Sequence, residues 1–138
     1  MITPEETARE KDRLPRGWGR FGKSIDALAG ASEPDETLLA ACVGINPTFK
    51  HRAITLAWGA FELTKSTNVV LGATDRRVIL LATGAGGAPR DHVTIPRDGL
   101  EVADARKNEL TLRWPDGELQ VKGVAKQMLP AFVDALQR

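Results

Sequence analysis

The stretch Leu71–Gly84, "LGATDRRVILLATG", decides how the rest of the chain is read. Two apolar runs flank Thr74-Asp75-Arg76-Arg77, and these four polar residues are either a functional cluster carried on strands or the turn that lets the strands reverse. Turn chemistry accounts for all four residue types. With no glycine present, the primed two-residue turns that demand positive φ are disfavoured. A type I turn fits, with the Thr74 and Asp75 side chains accepting backbone N–H groups and Arg76 and Arg77 directed to solvent or to a carboxylate. The stretch thus reads as a β-hairpin, with Thr74, Asp75 and Arg77 as structural turn residues. The competing reading is an arginine pair that grips an anion.

Outward from the hairpin the same period continues. Glu36–Ile45 ("ETLLAACVGI"), Asn68–Ala73 and Arg77–Ala82 are apolar with little alternation, as strands buried on much of both faces would be, and the first of them is expected to stop at Asn46-Pro47. Further on the alternation is cleaner. Val93 and Ile95 oppose His92 and Thr94; Leu110, Leu112 and Trp114 oppose Thr111 and Arg113; Leu119 and Val121 oppose Gln120 and Lys122. Asn108 closes one hairpin, and "WPDGEL" (Trp114–Leu119) closes the next, with Gly117 expected in the left-handed conformation. At least seven short strands with few helices between them predict an antiparallel meander.

The two ends differ from this middle. Residues 1–23 carry many charges and few apolar side chains before Trp18 and Phe21, so they read as a tail in which no packed core starts. Its "TPEE" (Thr3–Glu6) is a capping-box signature with Pro4 at the first helical position, which predicts a helix if the tail docks. Ser24–Ala31 predicts a short helix capped by Ser24. Val124, Ala125, Met128, Leu129, Phe132, Val133 and Leu136 recur at helical spacing, and Pro130 either kinks that helix or marks a restart.

Composition narrows the function classes. At 138 residues, 42% hydrophobic and 27% charged, the chain fits one globular domain. A formal net charge of +1 gives no bulk attraction to nucleic acid, which is not expected as a partner. The single cysteine, Cys42, makes no intramolecular disulfide and sits among apolar neighbours. Neither a leader nor a transmembrane helix is expected, and the cytoplasm is the expected compartment. "TGAGGAPRD" (Thr83–Asp91) looks like a phosphate loop, but Pro89 stands where a further glycine is needed and no helix follows. It reads as a hairpin loop. Two histidines without neighbouring ligands offer no zinc site, and no GxSxG or HExxH occurs. No catalytic residue, metal or cofactor is assigned, and the chain is read as a non-enzyme.

The Thr74-Asp75-x-Arg77 hairpin, the run of short strands and the closing C-terminal helix resemble the bacterial pleckstrin-homology-like (PH-like) domains. The resemblance covers roughly residues 36–138. It implies an α+β, mainly β fold: a bent antiparallel sheet or partly open barrel of about seven strands, capped by the C-terminal amphipathic helix, with a short helix at the N-terminal side. Residues 24–138 would form the domain. It also implies binding or scaffolding without catalysis. The chain departs from the pattern at an insertion of about residues 46–67.

That insertion, with the tail, supplies the candidate contacts. Ala53, Ile54, Ala57, Trp58 and Phe61 share a helical stripe, while Ile54, Leu56 and Trp58 also alternate as a strand would. It either packs on the sheet or offers an apolar surface to a partner, with Lys50, His51 and Arg52 at its entrance. In the tail, Arg16, Trp18 and Arg20 interleave cations with aromatics, which suits an anionic surface or a clamp onto the domain's own groove. Two readings result. The first is a module for protein–protein interaction or self-association. The alternative is peripheral binding to anionic membrane lipid at the inner membrane face, with Arg16, Arg20, Lys23, Lys50, His51 and Arg52 gathered near one tip.

Overall fold

The structure, a computed structural model, describes the backbone of residues 1–51, 68–83 and 89–137, and their side chains other than those of 46–51 and 89–91. Among the described residues seven strands form one antiparallel sheet. They are β1 (Leu38–His51), β2 (Asn68–Thr74), β3 (Arg77–Thr83), β4 (Pro89–Pro96), β5 (Glu101–Arg106), β6 (Glu109–Trp114) and β7 (Gly117–Lys122). Their order across the sheet is β4-β3-β2-β1-β7-β6-β5, and since β4 and β5 do not pair, the sheet stays open. The helices among the described residues are α1 (Pro4–Lys11), α2 (Gly22–Ala31) and α3 (Leu129–Leu136), with a 3₁₀ turn at Gly19–Phe21. This is the mainly β, α+β class expected from the sequence, with a helix at each end of the chain.

β1 joins two halves of the sheet. From Leu38 to Ile45 it pairs with β2, and from Ile45 to His51 with β7, with a register shift between Ile45 and Thr48. Asn46-Pro47 lies at that shift and does not end the strand, because a proline is tolerated where the ladder is already broken. The expected insertion therefore yields residues 46–51 to β1, while residues 52–67 lie outside the described residues.

Local chemistry explains most boundaries. The capping box is formed: Glu6 N–H donates to Thr3 Oγ1 at 3.2 Å and Thr3 N–H to Glu6 Oε1 at 2.8 Å. α2 starts at Gly22, directly after the 3₁₀ turn, so Ser24 is a buried residue inside the helix and not its cap. α3 starts at Leu129 and not at Val124. Pro130 falls in its first turn, where a missing N–H costs nothing. The β6–β7 loop is the two residues Pro115-Asp116, and Gly117 begins β7 without positive φ. In the β5–β6 loop it is Lys107 that takes the left-handed conformation, at φ 56°.

The core begins earlier than the sequence implied. Ile2 and Phe21 are buried alongside Ile25 and Leu28 of α2, so the first 23 residues belong to the packed unit. The reason lies in β2 and β3, whose residues Val69–Thr74 and Val78–Thr83 are all buried. A strand buried on both faces needs a layer on each. Gly72 faces α2, where an added Cβ would meet the Leu28 methyls at 3.0 Å. Gly44, on the opposite face, would drive a Cβ to 2.3 Å from Val121 of β7. The N-terminal helices thus supply one layer, and β7 with α3 contributes to the other.

Candidate functional site

The polar turn is a structural junction. The Thr74 hydroxyl donates to Glu36 Oε2 at 2.6 Å and its oxygen accepts from Arg76 N–H at 3.1 Å and Arg77 N–H at 3.0 Å. The Asp75 carboxylate accepts from Thr37 N–H at 3.0 Å. Arg77 grips Glu36 with two bonds of 2.9 Å and reaches Ala31 O, the end of α2, at 2.9 Å. Arg97 ties the Thr74 carbonyl at 2.8 Å to the Ala135 carbonyl of α3 at 3.0 Å. Glu36 is buried, which by itself would raise its pKa. The hydrogen bonds from Arg77, Thr74 and the Glu33 N–H outweigh that and hold the carboxyl at about 2. Arg76 meets Glu33 at 2.9 Å and also Asp35. Both guanidinium groups therefore face carboxylates of the chain itself.

The remaining candidates fall into separate places. Lys50 and His51 lie at the far end of β1, paired with Glu118 and Gly117 of β7, and Arg52, Trp58 and Phe61 lie outside the described residues. Trp18 is half-buried with its ring 5.5 Å from that of Phe21, over which Arg20 stacks at 4.8 Å. Arg16, Arg20 and Lys23 are exposed. The aromatics of the tail are thus spent inside the fold, as a clamp on its own core. α1 docks at the other end of β1: Arg9 donates to Leu38 O at 2.8 Å and Leu39 O at 3.3 Å. From there to Lys50 the strand runs on for roughly 35 Å of extended chain.

One surface that no sequence signal singled out does stand beside open backbone. β5 is an outermost strand of the sheet, and between the β5–β6 turn and α3 runs a groove of about 390 Å³. Ala105, Leu129, Pro130 and Val133 form its apolar wall, Lys107 and Lys126 are exposed at its rim, and Asp134 and Gln137 complete the lining. β4, the other outer strand, begins and ends with proline, which blunts that edge. β5 has a bulge between Val102 and Asp104 and then pairs regularly through Arg106. Two elements could have pointed here, the turn at Lys107-Asn108 and the helix start at Leu129-Pro130, but nothing in the sequence says that they meet.

Chemical reactivity has little footing among the described residues. Burial, helped by the Glu10 carboxylate, pushes the Cys42 thiol far above its usual range, so it is a packing residue. No group of three or more His, Cys, Asp or Glu side chains is placed to hold a metal, and no helix is long and apolar enough to cross a membrane. Every buried side-chain N or O among them has a hydrogen-bond partner.

Comparison with known proteins adds little. No protein-family profile and no curated protein matches the chain. A solved structure, the C-terminal domain of an unknown protein from Leishmania infantum, is similar at 18% identity and a TM-score of 0.43, covering 87% of this chain and 97% of that one.

Proposed function

We propose that the chain is a non-enzymatic PH-like binding and scaffolding module that recognises another protein. The observation that supports this reading best is the open β5 edge beside the groove against α3. An extended segment can add to the main-chain groups of Asp104–Arg106, place an apolar side chain against Leu129 and Val133, and set a carboxylate between Lys107 and Lys126. With two lysines against the carboxylate of Asp134 in the lining, the occupant of this site is an extended, acidic segment of a protein partner. Cytoplasmic residence is part of the same proposal and rests on the lone, buried cysteine.

The test is a fluorescence-anisotropy screen of the full chain against a library of extended peptides carrying one apolar and one acidic residue, beside the variants Val133→Glu and Lys107→Glu/Lys126→Glu. Binding that falls roughly tenfold or more in both variants supports the reading. Binding equal in all three proteins, or none to any peptide, sinks it. Flotation with anionic vesicles supplies the other arm. Salt-sensitive flotation of the parent that Arg16→Glu/Arg20→Glu/Lys23→Glu abolishes would put the alternative, anionic membrane lipid, in its place.

A further inference from the structure

β7 pairs with β1 only from Ile45 onward, so the Leu38–Gly44 stretch of β1 has β2 on one side and, among the described residues, no strand on the other. The backbone groups on that free side are met by other means. Arg9 donates to the carbonyls of Leu38 and Leu39, the Glu10 carboxylate accepts from Ala41 N–H at 2.8 Å, and Ala125 N–H donates to Val43 O at 3.0 Å. α1 thus covers a strand-sized slot with two side chains. Glu10 is fully buried there, bound by Arg9 at 2.7 Å and Arg13 at 3.4 Å.

The cover is attached differently from the rest of the domain. Within α1 only Thr7 and Glu10 are buried, and its apolar anchors are Ile2 just before it and the half-buried Leu14 just after it, whereas the next segment is anchored by Phe21, Ile25 and Leu28. An element held by few apolar contacts and mainly by polar bonds, those of the buried Glu10 among them, opens below the global unfolding free energy. Between α1 and the 3₁₀ turn lies Asp12–Trp18, with Pro15 and with Gly17 at φ 90° in open space, a segment able to act as a hinge.

We propose that α1 is exchangeable between copies of the chain: the slot on β1 takes α1 from a second molecule, and two copies swap their N-terminal segments. The structure itself supplies the fit, because the swapped contacts are those already seen between the N-terminal segment and β1 and α2, the Lys11–Asp26 pair among them. Only the hinge changes, which makes exchange a low-cost route to a dimer. Exchange in both directions closes the pair, so no free slot remains. This interface is separate from the β5 edge and stands or falls without it.

The test uses the full chain carrying Arg16→Cys, labelled with donor or acceptor dye; Arg16 is exposed and the native Cys42 is buried. Mixed donor and acceptor copies show energy transfer that rises with concentration and develops slowly, since α1 must first leave its own slot. Arg9→Ala/Glu10→Ala weakens the same contact in the lone chain and in the swapped pair, so in these copies the transfer develops roughly tenfold faster or more, because α1 leaves its own slot more readily. A second variant guards against misfolding of the first: deleting residues 15–17 shortens the hinge, closes the path within one molecule and gives twice the chain mass by light scattering. Two results overturn the proposal. One is a hinge-shortened chain that stays folded and monomeric. The other is energy transfer that develops at the same rate with and without Arg9 and Glu10, which removes α1 from the contact whatever the peptide screen at β5 finds.

Discussion

The two halves of the sheet are built on different terms. In β2 and β3 every residue from Val69 to Thr74 and from Val78 to Thr83 is buried, because α2 covers one face and the other meets the second half of the molecule. In β6 and β7 burial alternates: Leu110, Leu112, Trp114, Leu119 and Val121 are inside, while Arg113, Gln120 and Lys122 face out. The difference teaches where stability and where contact reside. A doubly covered layer has no surface to offer, and its polar residues, Thr74 and Glu36 above all, are consumed in holding elements together. The singly covered half keeps an outer strand, a groove and exposed lysines.

The contrast can be broken by substitution, beginning with the largest effect. Leu80→Ala removes a fully buried side chain from β3 and should cost about 2–5 kcal/mol in urea unfolding. A cost below 1 kcal/mol would mean that the double cover is loosely packed. Glu36→Gln sharpens the comparison through pH. The Glu36 carboxyl lies below its ordinary 4.5, at about 2, so its contribution is fully present above pH 4.5 and is lost as pH falls toward 2. At neutral pH the variant should be less stable by ~3 kcal/mol, and the gap between parent and variant should close across that acid window. A gap that persists at pH 2 would assign the loss to packing. Thr74→Val leaves the Arg76 and Arg77 N–H groups without their acceptor and should cost about 1–3 kcal/mol by thermal melting. At the small end, Gln120→Ala on the exposed face of β7 should stay within about 0.5 kcal/mol of the parent.

Much of this division was legible in the residues. The hairpin at Thr74–Arg77 was readable because turn chemistry is local: neither Asp75 nor Arg76 takes positive φ, and both arginines find carboxylates. The carboxylates themselves, Glu33, Asp35 and Glu36, lie about forty residues upstream, and no local rule pairs them with the turn. The lack of alternation in "ETLLAACVGI" and "RVILLA" correctly announced burial on both faces. That same signal demanded a second covering layer, and Ile2, Phe21, Ile25 and Leu28 were available to supply it. The high charge of residues 1–23 hid this, because Glu10 and Arg9 act inside the packed unit as backbone partners of β1. Pro47 misled in the opposite direction: the stop it signals became a register shift where β1 changes partners. The groove was not legible at all, since it joins Lys107 to Pro130 across the fold.

The most direct measurement is native-state amide hydrogen exchange on the full chain, resolved by residue. Amides of β2 and β3 should exchange only through global unfolding, while those of α1 and of β5 should exchange faster, through local opening that leaves β2 and β3 protected. If α1 and β5 prove as slow as β3, neither a displaceable cover nor an open edge exists, and the division drawn between the two halves is contradicted.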